Sequence, residues 1–530
     1  MREFEIVLGL AFIATLLQPV ARRFDAPLAI VQVFGGIVLS MLPIFPTVPF
    51  DPELTFVLFV PPLLYRAAST SSFRDTRRNL RPILLLAVVL VLVTIATVAV
   101  VAHIVAPRIP WGAAFVLGAI LAPSDADVTT QIVRRLGLPT RLVTILEGET
   151  LLNDTAAFVS YRMAVTAATI GTFSLAWAAG AFVAIALGGL VIGLAVGGVF
   201  KQLRQHVTDP IAVSTLSLAT PFAAYLLAES VKASGVLAVV AAGFLASRLP
   251  LRTESARARV RSNVVWDTAT FAIGALVFTL IGLQIGRLVP ESLRGDAVAF
   301  TLGVVVIGAT VTGTRVLWLF PAAYLPRALS PAIRARDPYP SWRALVILGW
   351  AGLRGGDTLV MALAVPNETA AGAPFPARET VVTIAFGVIL VTLLVQGFTL
   401  RPLIKRFALP RGDSAESEER HARLEAEQAA MKTLDEIGTQ GHIPANVLAQ
   451  MREAISQRTR LDIDEAVHGD GHTGLTLEDS IRDAEQQVRE ASRDAVARLR
   501  DEEVIGDEAF RKVLSDLDLD EVRNVEEPII

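Results

Sequence analysis

Residues 119–130 read AILAPSDADVTT. Aliphatic residues lead into Pro123, and Ser124, Asp125 and Asp127 crowd in behind it. Proline deletes a helical hydrogen bond and its ring clashes with the preceding turn, so a helix entering this stretch breaks here. A broken membrane helix frees carbonyls and half-helix ends, from which transporters build ion sites near the midplane. Carboxylates at that depth are costly and mark function by default.

The rest of the chain supplies the membrane. Of its 530 residues 53% are hydrophobic, with a mean hydropathy of +0.53. The apolar residues come in long runs, which points to an all-α polytopic membrane protein rather than a large soluble core. About thirteen runs approach spanning length. They begin with Phe4–Val20 and Leu28–Phe45 and close with Ala344–Val365 and Thr380–Leu403. The third, Leu54–Tyr65, is short and contains Pro61-Pro62, so its ends are poorly marked. No small-residue cleavage site follows Phe4–Val20, which is expected to stay as the first membrane helix. Cysteine is absent, which excludes disulfides, thiolate metal sites and a cysteine nucleophile.

Charge sets the expected topology. Connections after odd-numbered runs carry Arg22-Arg23, Arg74/Arg77/Arg78/Arg81, Arg134/Arg135/Arg141 and Arg334/Arg336. Those after even-numbered runs carry little beyond Arg108, Lys232, Arg287, Arg294 and Arg378. That bias is roughly four to one, so the odd loops are expected on the cytoplasmic side of the cell membrane. The N-terminus then lies outside and the C-terminus inside. Residues 1–405 form the expected membrane domain. After Arg411 the composition changes: acids outnumber bases roughly two to one, with helical apolar spacing. Residues 410–530 are expected to be a charged, helical cytoplasmic tail, its acid excess a solvated face.

A second break answers the first. WAGLRGGDTLVMALAVP, residues 350–366, places Gly352, Arg354, Gly355, Gly356 and Asp357 inside the twelfth run. If runs one to six and eight to thirteen are inverted repeats, both breaks occupy the fifth helix of their repeat. Between them lies EGETLLNDTAAFVSYR, residues 147–162. Asp154 has no neighbouring base, so it can hold a proton or a bare cation, but not both well. Asn153 can order that site without adding charge. Glu149 at this depth demands an arginine partner. Arg354 is the first candidate and Arg315 the second. His103 reads as interfacial rather than as a pH sensor.

These residues, with LIGLQIGRL, RDPYPSWRALVILGWAGLRGG and GAPFPARE in order along the chain, resemble bacterial sodium/proton exchangers of the monovalent cation:proton antiporter-1 family. The resemblance implies two inverted six-helix repeats with crossing broken helices, a homodimer, and electroneutral exchange of one cation for one proton. It implies that Asp154 binds cation and proton alternately beside Asn153. Ser124, Asp125 and Thr150 would line the site, and Glu149 and Arg354 would form a buried ion pair. No cofactor is implied beyond the transported Na+, K+ or Li+ and H+, and no partner but membrane lipid and a second copy; nucleic acid is not expected. Three residues depart from the family pattern. Asp127 and Asp357 stand where apolar residues are usual. Arg66 stands where many relatives carry glutamate, and the two added acids are expected to offset it.

Two other classes fit less well. An intramembrane aspartyl protease would use Gly-x-Gly-Asp, but Arg354 occupies the first glycine, and no zinc or nucleophile-elbow motif is present. A passive channel would need a backbone-carbonyl filter, and none is legible.

Overall fold

The structure is a computed structural model describing residues 2–24, 27–42, 52–125, 129–130, 133, 136, 138–170, 175–207, 209–248, 256–294, 297–369, 372–407, 414–439, 443–460 and 475–526. No strand occurs among them; one isolated bridge joins Glu368 and Pro374. The chain divides into two compact units. One holds residues 1–207, 212–253 and 264–411; the other holds 208–211, 254–263 and 412–530.

The first unit is helical. In chain order its main helices are α1 (Arg2–Arg23), α2 (Leu28–Ser40), α3 (Pro52–Thr70), α4 (Leu80–Val105) and α5 (Trp111–Leu121). They continue with α6 (Thr140–Ile170), α7 (Leu175–Arg204), α8 (Pro210–Ser230), α9 (Gly235–Ala246) and α10 (Ala256–Arg294), the starts of α8 and α10 up to residues 211 and 263 belonging to the second unit. The last four are α11 (Ala297–Leu329), α12 (Trp342–Trp350), α13 (Gly356–Leu363) and α14 (Arg378–Phe407). Among the described residues six helices are long and apolar enough to cross a membrane: α4, most of α7, α8, most of α10, α11 and α14. Three shorter apolar helices are α2, α5 and α9. Helix α6 has the length but carries Glu147, Glu149, Asp154 and Arg162 along its middle, the charges expected of a working helix rather than a lipid-facing one.

Packing overrides local sequence in α3. The prolines Pro61 and Pro62 do not end it, because Val60, Leu64, Tyr65 and Ala68 bury against Val236, Val239 and Val240 of α9. Proline costs a helix one backbone bond, and burying several large side chains at about 1.5–3 kcal/mol each outweighs that. In α4 the turn Leu85–Leu90 widens into a π-helix. Such a turn loosens the hydrogen-bond ladder, and the Leu85 carbonyl accepts from Trp318 Nε1 of α11 at 3.1 Å.

Both predicted breaks are real. Helix α5 ends at Leu121 and Ala122–Asp125 are not helical; α12 ends at Trp350 and α13 restarts at Gly356. Asp127 lies outside the described residues. His103 is settled at a helix end, its Nδ1 2.8 Å from the Ile109 carbonyl and its ring 4.4 Å from that of Trp111.

The second unit contains α15 (Ser414–Thr439), α16 (Ala445–Arg460), α17 (Leu475–Asp501) and α18 (Asp507–Glu526). Its small core includes Ala430, Leu434, Ile437, Ile455 and Val488. Asp518, only 2% exposed, is gripped by Arg259 through Nε at 2.6 Å and by Arg493 at 3.0 Å.

Candidate functional site

The two interruptions lie against each other and share backbone bonds. Asp125 N–H donates to the Leu353 carbonyl at 2.9 Å, and Thr129 Oγ1 donates to the Ala351 carbonyl at 3.0 Å. Gly356 N–H, in the first turn of α13, donates to Asp125 Oδ2 at 3.2 Å. That places a carboxylate at the positive end of a helix, where it is stabilised. The approach is close enough to require glycine: a Cβ on Gly355 would stand 1.9 Å from Asp125 Oδ2. Each broken segment thus supplies groups that satisfy the other's orphaned backbone, as unwound helices inside a membrane must.

Helix α6 closes the crossing from the side. Asn153 Nδ2 donates to Ser124 Oγ at 3.1 Å and to its carbonyl at 3.4 Å. Ser124 Oγ in turn donates to Glu149 Oε1 at 3.2 Å. Asn153 is 1% and Asp154 5% exposed, within a turn buried on every side, Asn153–Ala157. Thr150, one turn before Asp154, is half-buried and donates to the Leu146 carbonyl of its own helix at 3.2 Å.

The buried ion pair is Glu149 with Arg315, not Glu149 with Arg354. Arg315 is bidentate: Nη1 meets Oε1 and Nη2 meets Oε2 at 2.8 Å. Its Nε donates to the Leu348 carbonyl at 3.2 Å. A bidentate guanidinium with its remaining donor satisfied is the arrangement that makes a buried pair tolerable. Arg354 is equally buried, at 1%, but its Nη1 donates to the Gly352 carbonyl at 2.9 Å. It turns back onto its own interrupted strand, so its charge acts on Glu149 without a bond to it.

The expected offset of Arg66 by Asp127 falls outside the described residues. Arg66 Nη2 meets Asp267 of α10 at 2.9 Å, an acid that sequence reasoning did not single out. Asp357 is half-buried in the first turn of α13. Sequence reasoning also missed Thr129; its position six residues after the first proline was the only signal that it could bridge the breaks.

Among the described residues Asn153 Oδ1, Thr155 Oγ1 and Thr358 Oγ1 are buried without a hydrogen-bond partner. Hard monovalent cations take oxygen ligands of this kind, and one carboxylate with neutral oxygens can hold a single positive charge. No cluster of three or more His, Cys, Asp or Glu suited to a resident metal occurs among the described residues.

The sodium/hydrogen exchanger transmembrane family matches residues 8–406. The chain belongs to the sodium/hydrogen exchanger family. It is therefore a transporter and not an enzyme. An uncharacterised Na(+)/H(+) exchanger of Mycobacterium bovis is 32% identical over 98% of this chain and 97% of its own length. A sodium, potassium, lithium and rubidium/H(+) antiporter of Bacillus subtilis is 34% identical over 70% of this chain and 56% of its own. The structure of the sodium proton antiporter MjNhaP1 from Methanocaldococcus jannaschii matches with a TM-score of 0.59 at 17% identity, covering 77% of this chain and 100% of that one. That likeness establishes the fold over the part of this exchanger that it covers.

Proposed function

We propose that the protein is a secondary antiporter of the cell membrane that exchanges a monovalent cation for H+ by alternating access, with Asp154 as the shared carrier. Na+ is the first-choice cation, and K+ or Li+ the alternatives; the broad cation range in the name of the Bacillus subtilis relative supports keeping them. The observation that carries the proposal is the crossing itself. Two interrupted segments brace each other, and α6 brings Asn153 against them through Ser124, with the buried Asp154 next in sequence.

The chemistry follows from one buried carboxylate. Protonated, Asp154 is neutral and costs little at this depth; ionised, it needs a cation beside it. Asn153, held by Ser124, points its amide donors at the break and leaves Oδ1 for a cation. Asp125 is occupied as a brace by Gly356 N–H, and so serves the site by shaping it. Glu149 with Arg315 is neutral as a unit and fixes α6 against α11 and α12. Thr150 lies one turn from Asp154 on the same face and can turn its hydroxyl to a passing ion.

The arrangement extends to the whole chain. About thirteen membrane helices form two inverted six-helix repeats, the breaks falling on the fifth of each. The chain works as a homodimer in lipid, with its N-terminus outside. Residues 1–405 carry transport and 410–530 form the cytoplasmic tail. Exchange is one for one, because one carboxylate carries one charge in either direction.

The test is exchange by the purified protein in proteoliposomes with Na+, K+ and Li+, with and without an imposed membrane potential. Cation-driven proton movement that is insensitive to potential is expected. Cation flux without proton coupling would replace this reading with a channel. Exchange accelerated by potential would mean that Asp127 or Asp357 titrates and that the stoichiometry is unequal.

A further inference from the structure

Three arginines from separate stretches of the chain converge on Asp337. Its carboxylate meets Arg327 at 2.6 Å, Arg141 at 2.7 Å and Arg81 at 3.4 Å. Three guanidiniums around one carboxylate leave two positive charges uncompensated within this cluster. Arg327 is nearly buried, with its side chain 5% exposed, whereas that of Arg141 is 46% exposed. Arg327 is held further by the Asp337 and Ala323 carbonyls and Arg141 by Asn79 Oδ1 at 3.1 Å, so Arg141 is the one that reaches out.

Arg141 and Arg327 also stand on the wall of a cavity of about 230 Å³. The rest of its lining is almost wholly apolar: Leu86 of α4, Leu142 and Ile145 of α6, Leu319 of α11 and Leu348 of α12. It is smaller than the roughly 300–1,000 Å³ that holds a drug-sized molecule. Its apolar lining suits a slender apolar chain. The neighbouring surface is that of a membrane interface: Tyr339 and Trp342 are 46% and 53% exposed, and Leu325 and Leu329 beside them 55% and 76%. Exposed aromatic rings at the edge of an apolar belt mark headgroup level.

We propose that this cleft binds a phospholipid with an anionic headgroup, the phosphate on Arg141 with Arg327 adding positive charge behind it, and one acyl chain among the leucines. Charge excludes a cation here, and the apolar walls give a free anion nothing to fill them. An anionic lipid satisfies both halves of the cleft, as basic pockets between membrane helices do. The walls are also the elements that hold the buried ion pair. Ile145 lies one turn before Glu149, and the Leu348 carbonyl accepts from Arg315 Nε at 3.2 Å. An occupied cleft therefore stiffens α6 against α12 directly beneath the crossing.

The experiment uses the full-length protein, delipidated in neutral detergent and titrated with phosphatidylglycerol, phosphatidylcholine or inorganic phosphate. Retained lipid is read by native mass spectrometry and stability by thermal melting. Phosphatidylglycerol is expected to bind at least about tenfold more tightly than phosphatidylcholine and to raise the melting temperature, with inorganic phosphate inert. Ala344→Phe, which fills the cleft without touching a charge, and Arg141→Gln are each expected to weaken phosphatidylglycerol about tenfold. If Ala344→Phe does not fold, Ala322→Leu takes its place. Equal binding of the two lipids, a phosphate effect equal to that of the lipid, or unchanged phosphatidylglycerol binding in the folded variants overturns the proposal. The readout does not involve transport, so failure of the antiporter reading would leave it standing.

Discussion

At the scale of residues, Glu149 and Arg315 are each intolerable alone and neutral together. Removing one partner of a buried pair strands the other's charge at a cost of about 3–5 kcal/mol, whereas replacing both with apolar groups is far milder. Glu149→Gln is therefore expected to lower stability by that amount, and Glu149→Gln with Arg315→Met to recover most of it. A double-mutant cycle by thermal melting in detergent checks this: strong coupling is expected for Glu149 with Arg315, and weak coupling for Glu149 with Arg354. The need for an arginine was legible from a lone acid at membrane depth. Which arginine was not, because Arg315 stands 166 residues away along the chain, and only packing decides whether Arg354 faces Glu149 or its own carbonyl at Gly352. Arg66 is a similar case. Its need of an acid was plain, and Asp267 was overlooked because it belongs to no break or motif.

At the scale of elements, the breaks were the most legible feature, since proline and paired glycines act locally. Their contact was implied only by the family resemblance, because hydrogen bonds such as Asp125 N–H to Leu353 join residues with no pattern in common. Gly355→Ala forces a methyl group into the Asp125 carboxylate. Overpacking of this kind costs about 1–3 kcal/mol, and here the strain falls on the crossing. The variant is expected to fold, melt lower by that measure and lose most of its exchange in proteoliposomes; wild-type exchange would mean that the close approach is dispensable. Pro61-Pro62 is the opposite lesson: the pair blurred the ends of the third run in sequence, yet α3 runs through both prolines, held by its burial against α9. The arginine-rich end carries a pH signature. Partial burial pushes the Asp337 carboxyl up, but hydrogen bonds from Arg327 and Arg141 and their charges outweigh it, so its pKa lies below the usual range. Unfolded, it titrates near about 3.9. Its stabilising contribution is thus complete above that pH and is lost as pH falls through the lower folded value. The melting difference between wild type and Asp337→Asn is expected to stay constant from neutrality to mild acid, and to close only below about pH 4.

At the scale of the whole molecule, hydropathy and loop charge made a polytopic helical fold legible, because the membrane imposes both. The absence of cysteine makes the proposed orientation directly testable. A single cysteine at Arg78 is expected to react with impermeant thiol reagents only from the cytoplasmic side, and one at Arg108 only from outside. The reverse pattern would invert the topology. The tail was legible as helical but not as organised, since the grip of Arg259 and Arg493 on Asp518 joins distant stretches. What unites the scales in the proposed mechanism is a single buried carboxylate, Asp154, that would carry either of two cargoes. The most direct measurement is exchange by Asp154→Asn in proteoliposomes, beside wild type and with folding verified by melting. Complete loss of cation-driven proton movement in a folded variant is predicted; retained coupled exchange would contradict the account.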